Sequence, residues 1–185
     1  TSIEVEVRGE IAEHDVSVLK LAALKGVFSR MVSEQVSYVN APLMAEARGM
    51  DVTLTTDEHS SDYRNVLTIK GVLSDGQIVS ASATLTGSKQ TQKLVGINGY
   101  ELEVPLAAHH IVMMYEDRPG IVAVYGKAFG EANINIAGMQ IARDTVAGQA
   151  LSVLTVDSRV PDELLAEVGA AISATTMAPI DVVDL

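Results

Sequence analysis

The sequence predicts an α+β protein of two domains, the second with a ferredoxin-like βαββαβ order. The chain has 185 residues, enough for two small domains. A hydrophobic content of 48% and a mean hydropathy of +0.24 are typical of packed globular cores. The second half alternates strand and helix patterns in the split βαβ order within about 75 residues. We therefore predict domains at 1–107 and 108–185, joined near Pro105.

Hydrophobic spacing and turn residues define the elements of the second domain. Pro119 suits the first turn of a helix, and Asn133 stands where a helix often ends in a left-handed residue. The predicted elements are a strand at 109–115, a helix at 121–132, strands at 134–143 and 149–157 around a turn at 144–148, a helix opened by Pro161, and a last strand at 180–183.

The first domain has a less regular pattern of strands and helices. Gly49 is expected to end a short helix, and Asn98-Gly99 is a hairpin signal. The predicted elements are a strand at 3–7, a helix at 14–31, a strand at 36–42 that leads into a short helix at 43–48, and strands at 52–56, 65–73, 78–86 and 93–103.

Composition excludes several classes of function. Cysteine is absent, which rules out disulfides and thiolate metal sites and fits a cytoplasmic location. The net charge of −11 is shared by both halves and disfavours nucleic acid as a partner. No apolar run reaches the roughly 20 residues that span a bilayer, so no membrane association is expected. The start at Thr1, without an initiator Met, leads us to expect a piece of a longer chain.

Motifs along the whole chain resemble the C-terminal regulatory region of the bacterial long-form D-3-phosphoglycerate dehydrogenase family. Four segments of the second domain resemble the ACT domain of that family, at 117–121 (DRPGI), 134–140 (INIAGMQ), 142–144 (ARD) and 148–157 (GQALSVLTVD). Three segments of the first domain resemble its intervening domain, at 38–42 (YVNAP), 85–87 (LTG) and 97–100 (INGY).

The resemblance implies a regulatory role in an NAD-dependent oxidoreductase that performs the first step of L-serine biosynthesis. L-serine would bind between two ACT domains and inhibit the enzyme by feedback, in a cytoplasmic homo-oligomer assembled through those domains. The catalytic domains of the same parent chain, with their NAD, would lie outside these residues. No GxGxxG follows a strand here, and the four histidines form no hydride-transfer pattern, so no catalytic site and no cofactor are expected in this chain.

The turn into the first helix of the second domain suits a free amino acid. Backbone N–H groups of Gly120 and Ile121 at a helix N-terminus favour a carboxylate, and Asp117 suits an ammonium or a hydroxyl. The resemblance implies that Tyr115, Asp117 and Asn135 contact serine, with Asn135 supplied by a neighbouring subunit. The alternative is that Asp117 only caps the helix and Asn135 only occupies a turn. The full predicted effector site is Tyr115, Asp117, Arg118, Pro119, Gly120, Ile121, Asn133 and Asn135.

The intervening domain of the resembled family is described as an allosteric anion or substrate site, which requires clustered basic groups. The candidates are Lys93, Arg64 and Lys89, with helix N-terminal amides near Asn40. The alternative is that these basic side chains only solvate the surface. His109 and His110 are adjacent on a strand and point to opposite faces, so we expect no metal site.

Two other functions remain open from the sequence. Both domains could serve only to assemble subunits, in a structural oligomerisation module. The second domain could also be the amino-acid sensor of a serine dehydratase or of a transcription regulator, which would require a different partner domain. Loss of inhibition on changing Asp117 or Asn135 would separate an effector site from a structural module.

Overall fold

The computed structural model describes residues 1–144, 146 and 148–182. The chain groups into two compact units, Thr1–Gly99 and Tyr100–Leu185. The limits predicted from the sequence, 1–107 and 108–185, differ from these bounds by the segment that begins at Tyr100.

The first unit combines a mixed sheet with two helices. Its strands lie in the order β2-β1-β3-β4-β5. β1 is parallel to β2 and antiparallel to β3, so the chain crosses over between β1 and β2, and both helices lie in that crossover. The elements are β1 (Ser2–Gly9), a 3₁₀ turn (Glu10–Glu13), α1 (Ser17–Phe28), α2 (Asn40–Ala47), β2 (Asp51–Asp57), β3 (Asn65–Val72), β4 (Ile78–Thr86) and β5 (Thr91–Ile97).

The core of the first unit lies between β1 and the helices. Alternate residues of β1 are buried, as the period of two in the sequence predicts. They pack with Leu24 and Phe28 of α1, of which Phe28 is fully buried. The buried members of this cluster are Ile3, Val5, Ala23, Leu24, Phe28, Val36, Ala41, Met44 and Ala45.

The strand predicted at 36–42 is wrong, because this segment forms a turn and then α2. The N–H of Ser37 donates to Oδ1 of Asn40 at 2.6 Å, and the N–H of Asn40 donates to Oγ of Ser37 at 3.2 Å. Such local side-chain bonds compete with a strand and start a helix. The helix therefore begins at Asn40, three residues before the predicted start at Leu43.

The second unit confirms the predicted βαββαβ order. Its 4-stranded sheet has the order β10-β7-β9-β8, with antiparallel neighbours. β6 precedes this motif and contacts β8, where the N–H of Glu103 donates to Oε1 of Gln140 at 2.8 Å. The elements are β6 (Tyr100–Pro105), β7 (His109–Glu116), α3 (Ile121–Glu131), β8 (Ile136–Asp144), β9 (Gln149–Val156), α4 (Asp162–Ile172) and β10 (Thr176–Asp181).

The last strand begins at Thr176, earlier than the predicted start at Ile180. Pro179 disfavours a central strand, but β10 is an edge strand of its sheet, where a proline is tolerated. The predicted end at Val183 lies outside the described residues, as do two positions of the predicted turn at 144–148.

Aromatic and aliphatic side chains of α3 and α4 cover one face of this sheet. The rings of Tyr125 and Phe129 are both fully buried, with centroids 6.4 Å apart. Burial raises the pKa of the Tyr125 hydroxyl to about 12, and this hydroxyl donates to Sδ of Met139 at 3.0 Å. Tyr125 therefore stays protonated at neutral pH.

No helix in the described residues is both long and apolar enough to cross a membrane.

His110 ties the segment before β7 to the sheet. Its Nε2 accepts the N–H of Ala107 at 2.9 Å, and its Nδ1 lies 3.2 Å from Oγ1 of Thr155. This pattern assigns the proton of the neutral ring to Nδ1. Burial lowers the pKa of His110, and the nearby His109 lowers this pKa further, while a backbone contact at Leu154 opposes both effects.

Acidification is expected to destabilise the second unit through His110. Since burial lowers the pKa of His110 in the fold, the unfolded chain takes up a proton first as the pH drops below about 6.5. The contribution of neutral His110 to the free energy of unfolding of the second unit is fully present above that pH. It is lost as the pH falls below it, by at most about 1.4 kcal/mol per pH unit. Thermal unfolding between about pH 7 and 5 measures this loss.

The matched variants for this test are His110→Gln and His59→Gln. The first removes the titrating ring and keeps an acceptor for the N–H of Ala107, so its stability should depend less on pH. The second changes an exposed histidine and should keep the wild-type profile. Identical profiles for wild type and His110→Gln would show that His110 does not carry the effect.

Candidate functional site

The turn between β7 and α3 presents the N-terminus of α3. Gly120 has φ 93°, in the left-handed region, and no described side chain caps the helix. A Cβ at Gly120 would meet nothing within 4 Å, so the position requires glycine for its conformation and not for space. The first N–H groups of α3 lack intrahelical partners, and an anion is favoured there.

Asp117 lies at the edge of this turn and contacts Arg143 of β8. Its N–H donates to the carbonyl of Gly148 at 2.8 Å, and its Oδ2 accepts from Nε of Arg143 at 2.5 Å. The Asp117 side chain is 21% exposed and the Arg143 side chain 62%. The carboxylate of Asp117 does not cap α3, so the alternative role as a helix cap does not apply.

Four other predicted site residues occupy different environments around the turn. Tyr115 is 2% exposed and belongs to the core, where its hydroxyl lies 2.5 Å from Oγ of Ser152. Ile121 is also buried in that core. Arg118 and Pro119 are exposed. The structure thus places Tyr115 beneath the turn and the DRPG backbone at the surface.

Asn133 and Asn135 lie at the opposite end of the sheet from Asp117. Asn133 follows the end of α3 and has φ 57°, as expected of a left-handed residue that ends a helix. Nδ2 of Asn135 donates to Oδ2 of Asp157 at 2.9 Å, and the N–H of Asp157 donates to the carbonyl of Asn135 at 3.2 Å. This bonding holds the exposed Asn135 amide at the start of β8.

The strand register shows how far apart these two groups lie. Glu116, next to Asp117, pairs with Gln149 at the start of β9. Ile136, next to Asn135, pairs with Val156 at the end of β9. The seven residue steps between these positions correspond to about 23 Å in a strand. One chain therefore does not bring Asp117 and Asn135 together.

Two residues of this region were missed by sequence reasoning. Arg143 contacts Asp117, and Ser152 bonds Tyr115. A signal for Ser152 was present, because a serine inside the apolar strand 149–157 needs a buried partner. A signal for Arg143 was weaker, since its contact with the turn after β7 depends on the strand order, in which β9 lies between β7 and β8.

The candidate anion residues lie mainly at one end of the first unit's sheet. Lys93 of β5 pairs with Thr84, whose hydroxyl donates to the carbonyl of Asn65, next to Arg64. The turn that carries Lys89 joins β4 and β5 at the same end.

Two of the candidate residues, Arg64 and Asn40, already have partners within the fold, which disfavours their binding an anion. The guanidinium of Arg64 pairs with Glu10 at 2.7 Å on the surface, which offsets its charge. The side chain of Asn40 bonds Ser37 and the carbonyl of Gln35 within its own turn. The anion site therefore stays a prediction. Its basic residues lie toward one end of the sheet, but Arg64 is paired with Glu10, and the side chain of Asn40 is engaged within its own turn.

Comparison with known proteins identifies first the class of the second unit and then the family of the chain. The ACT domain model matches residues 109–172, so the second unit is an ACT domain. The model of the D-3-phosphoglycerate dehydrogenase intervening domain matches residues 1–98. The chain belongs to the D-3-phosphoglycerate dehydrogenase family, of which it carries the intervening domain followed by the ACT domain.

The relatives are enzymes about three times as long as this chain. D-3-phosphoglycerate dehydrogenase of Mycobacterium leprae (strain TN) is 36% identical over 176 residues, which cover 95% of this chain and 33% of the relative. The protein of the same name from Mycobacterium tuberculosis (strain ATCC 25618 / H37Rv) is 35% identical, with coverage of 97% and 34%. That from Synechocystis sp. (strain ATCC 27184 / PCC 6803 / Kazusa) is 33% identical, with coverage of 90% and 30%.

The chain thus spans about a third of the length of the curated relatives it matches. The two matched domains account for residues 1–98 and 109–172. The 185 residues therefore hold the regulatory region of the family and not its dehydrogenase catalytic domain.

Proposed function

We propose that this chain is the regulatory portion of an NAD-dependent D-3-phosphoglycerate dehydrogenase and that it binds L-serine between two ACT domains, as a feedback inhibitor. The observation that carries this proposal is the separation of Asp117 from Asn135 by about 23 Å along the sheet. Each chain thus offers two half-sites at opposite ends, which a second copy can complete.

A two-fold pairing of ACT domains along β8 would bring unlike half-sites together. β8 is an edge strand of the 4-stranded sheet, and an edge strand can pair with a strand of another chain. In an antiparallel pair, the start of one β8 lies beside the end of the other. The Asn135 end of one chain then neighbours the Asp117 end of its partner, and the pair contains two equivalent sites.

The groups at such a site match an amino acid. The N-terminal N–H groups of α3 at Gly120 and Ile121 would donate hydrogen bonds to the carboxylate of the amino acid. Asp117 would accept the ammonium, and the amide of Asn135 from the partner would bond the hydroxyl of serine. Tyr115 supports the turn from beneath, since its hydroxyl bonds Ser152 inside the core.

Binding at this interface provides a route to inhibition. An effector that contacts both chains stabilises the paired arrangement more than the unpaired one, and so shifts the population of the whole enzyme. The catalytic domains of the parent chain, which would hold the NAD, would respond to that shift. Basic residues of the first unit would add a second, anion-responsive input.

Removal of the Asp117 carboxylate is expected to abolish most serine binding. Asp117→Ala should raise the Kd for L-serine by about 30-fold or more, because a charged partner of the ammonium is lost. Isothermal calorimetry of this chain, with its dimer verified by sedimentation, measures the change. Glu131→Ala is the matched control, since Glu131 is an exposed acid of the same unit that pairs with Lys127.

Absence of heat at millimolar L-serine from a verified wild-type dimer would favour the structural oligomerisation module instead. A heat that Asp117→Ala leaves unchanged would place the amino-acid site elsewhere in the chain. Both outcomes are measured on the same samples, so the two alternatives are separated directly.

A further inference from the structure

In the proposed function, the carboxylate of Asp117 binds the ammonium of the effector. In the structure this carboxylate is already paired with the guanidinium of Arg143. Oδ2 of Asp117 lies 2.5 Å from Nε of Arg143. A ligand ammonium and this guanidinium would compete for the same carboxylate. The contact therefore has a direct bearing on how tightly any amino acid binds.

The strand register explains how Arg143 reaches across the sheet. Arg143 pairs with Ala150 of β9, and Ala150 pairs with Tyr115 of β7. Directly paired residues of neighbouring strands share a face of the sheet. Arg143 therefore lies on the same face as Tyr115, with the small, buried Ala150 between them, and its long side chain reaches Asp117 just beyond the end of β7.

We propose that Arg143 is an internal competitor of the effector, which occupies the ammonium position on Asp117 until an amino acid displaces it. This inference rests on the proposed serine site. The pair is able to open, because the Arg143 side chain is 62% exposed and exposed ion pairs are weak. Arg143 is thus a residue that sets affinity, and it need not contact the bound ligand.

This arrangement also defines the chemistry of the ligand. Only a molecule that carries its own cation can replace the guanidinium on Asp117 without leaving that carboxylate unpaired. A hydroxy acid such as 3-hydroxypropionate has the carboxylate and hydroxyl of serine but no ammonium. It should leave the Asp117–Arg143 pair closed and bind far more weakly than L-serine.

Displacement of Arg143 from Asp117 would also affect the edge of the sheet. Arg143 belongs to β8, the strand along which the proposed pairing occurs. A side chain released from Asp117 changes the charge presented beside that edge. Effector binding and domain pairing are then coupled through one residue.

The test compares L-serine binding by three variants of this chain in calorimetry. Arg143→Gln should lower the Kd for L-serine about threefold to fivefold, the range expected of one exposed ion pair. Arg143→Lys keeps a cation beside Asp117 and should stay within about twofold of wild type. Lys127→Gln removes an exposed charge from the Lys127–Glu131 pair of α3 and is the matched control, with no change expected.

A second readout follows the ion pair itself. The Nε–H resonance of Arg143 in nitrogen-15 spectra should shift on addition of L-serine and stay in place on addition of 3-hydroxypropionate. This response distinguishes displacement from a general change in stability.

The outcomes separate this inference from the function on which it rests. If wild type binds L-serine and Arg143→Gln binds it equally or more weakly, Arg143 is not a competitor and the serine site stands. If only Arg143→Gln binds measurably, the competition is confirmed. If neither binds, the serine site is absent, and the inference about Arg143 is overturned with it.

Discussion

Gly9→Ala is expected to destabilise the first unit by more than about 3 kcal/mol, the upper figure for one strained backbone position. Gly9 has φ 102°, a conformation that residues with a side chain rarely adopt. An added Cβ would also lie 2.0 Å from the carbonyl oxygen of Arg64, which is backbone and cannot rotate away. Urea unfolding, followed by far-UV circular dichroism, measures the loss.

Gly26→Ala is the matched control for this substitution. Gly26 lies in α1 on the exposed side, and a Cβ there meets nothing within 4 Å. Alanine should therefore stabilise the helix by about 0.5–1 kcal/mol. Equal stabilities of Gly9→Ala and wild type would show that β1 and β3 separate at Gly9 more easily than the structure indicates.

Phe129→Ala is expected to destabilise the second unit by about 3–5 kcal/mol. Phe129 is fully buried in the cluster that joins α3, α4 and the sheet, and its ring contacts Tyr125. Truncation leaves a cavity that the surrounding side chains cannot fill completely. The loss should appear in thermal unfolding monitored by near-UV signals of the tyrosines.

Val122→Ala on the same helix provides the comparison. Val122 is 43% exposed, so its truncation should change stability by less than about 0.5 kcal/mol. Similar losses for the two variants would contradict the assignment of Phe129 to the core.

Most strands and helices were predictable because their signals are local or periodic. The alternation in β1 and the three- and four-residue spacing in α3 both gave correct elements. The errors arose where another interaction overrides the pattern. Hydrogen bonds between Ser37 and Asn40 start α2 early, and the edge position of β10 allows Pro179 inside a strand.

The candidate site was predictable only in part, for a similar reason. The turn from Asp117 to Gly120 is contiguous in sequence, so its anion-favouring amides could be inferred from residue types. The Asp117–Arg143 contact depends on strand order and register, which no local pattern contains. The burial of Tyr115 depends on packing against α3 and likewise could not be inferred from its position near the turn.

The partner contribution of Asn135 came from a family resemblance and not from residue chemistry. The structure adds a physical reason for it, since the strand register separates Asn135 from Asp117 by about 23 Å along the sheet of one chain. A composite site across two chains remains the proposal that accounts for both residues.

Mixing two inactive variants tests this composite site most directly. In a pair formed from Asp117→Ala and Asn135→Ala, one site keeps both residues and the other loses both. Each variant alone should bind L-serine weakly, and an equilibrated mixture should recover wild-type affinity at roughly a quarter of the wild-type site number. Mixing Asp117→Ala with the double variant should restore nothing. If the mixture of single variants also restores nothing, while sedimentation shows mixed pairs, the site does not span two chains.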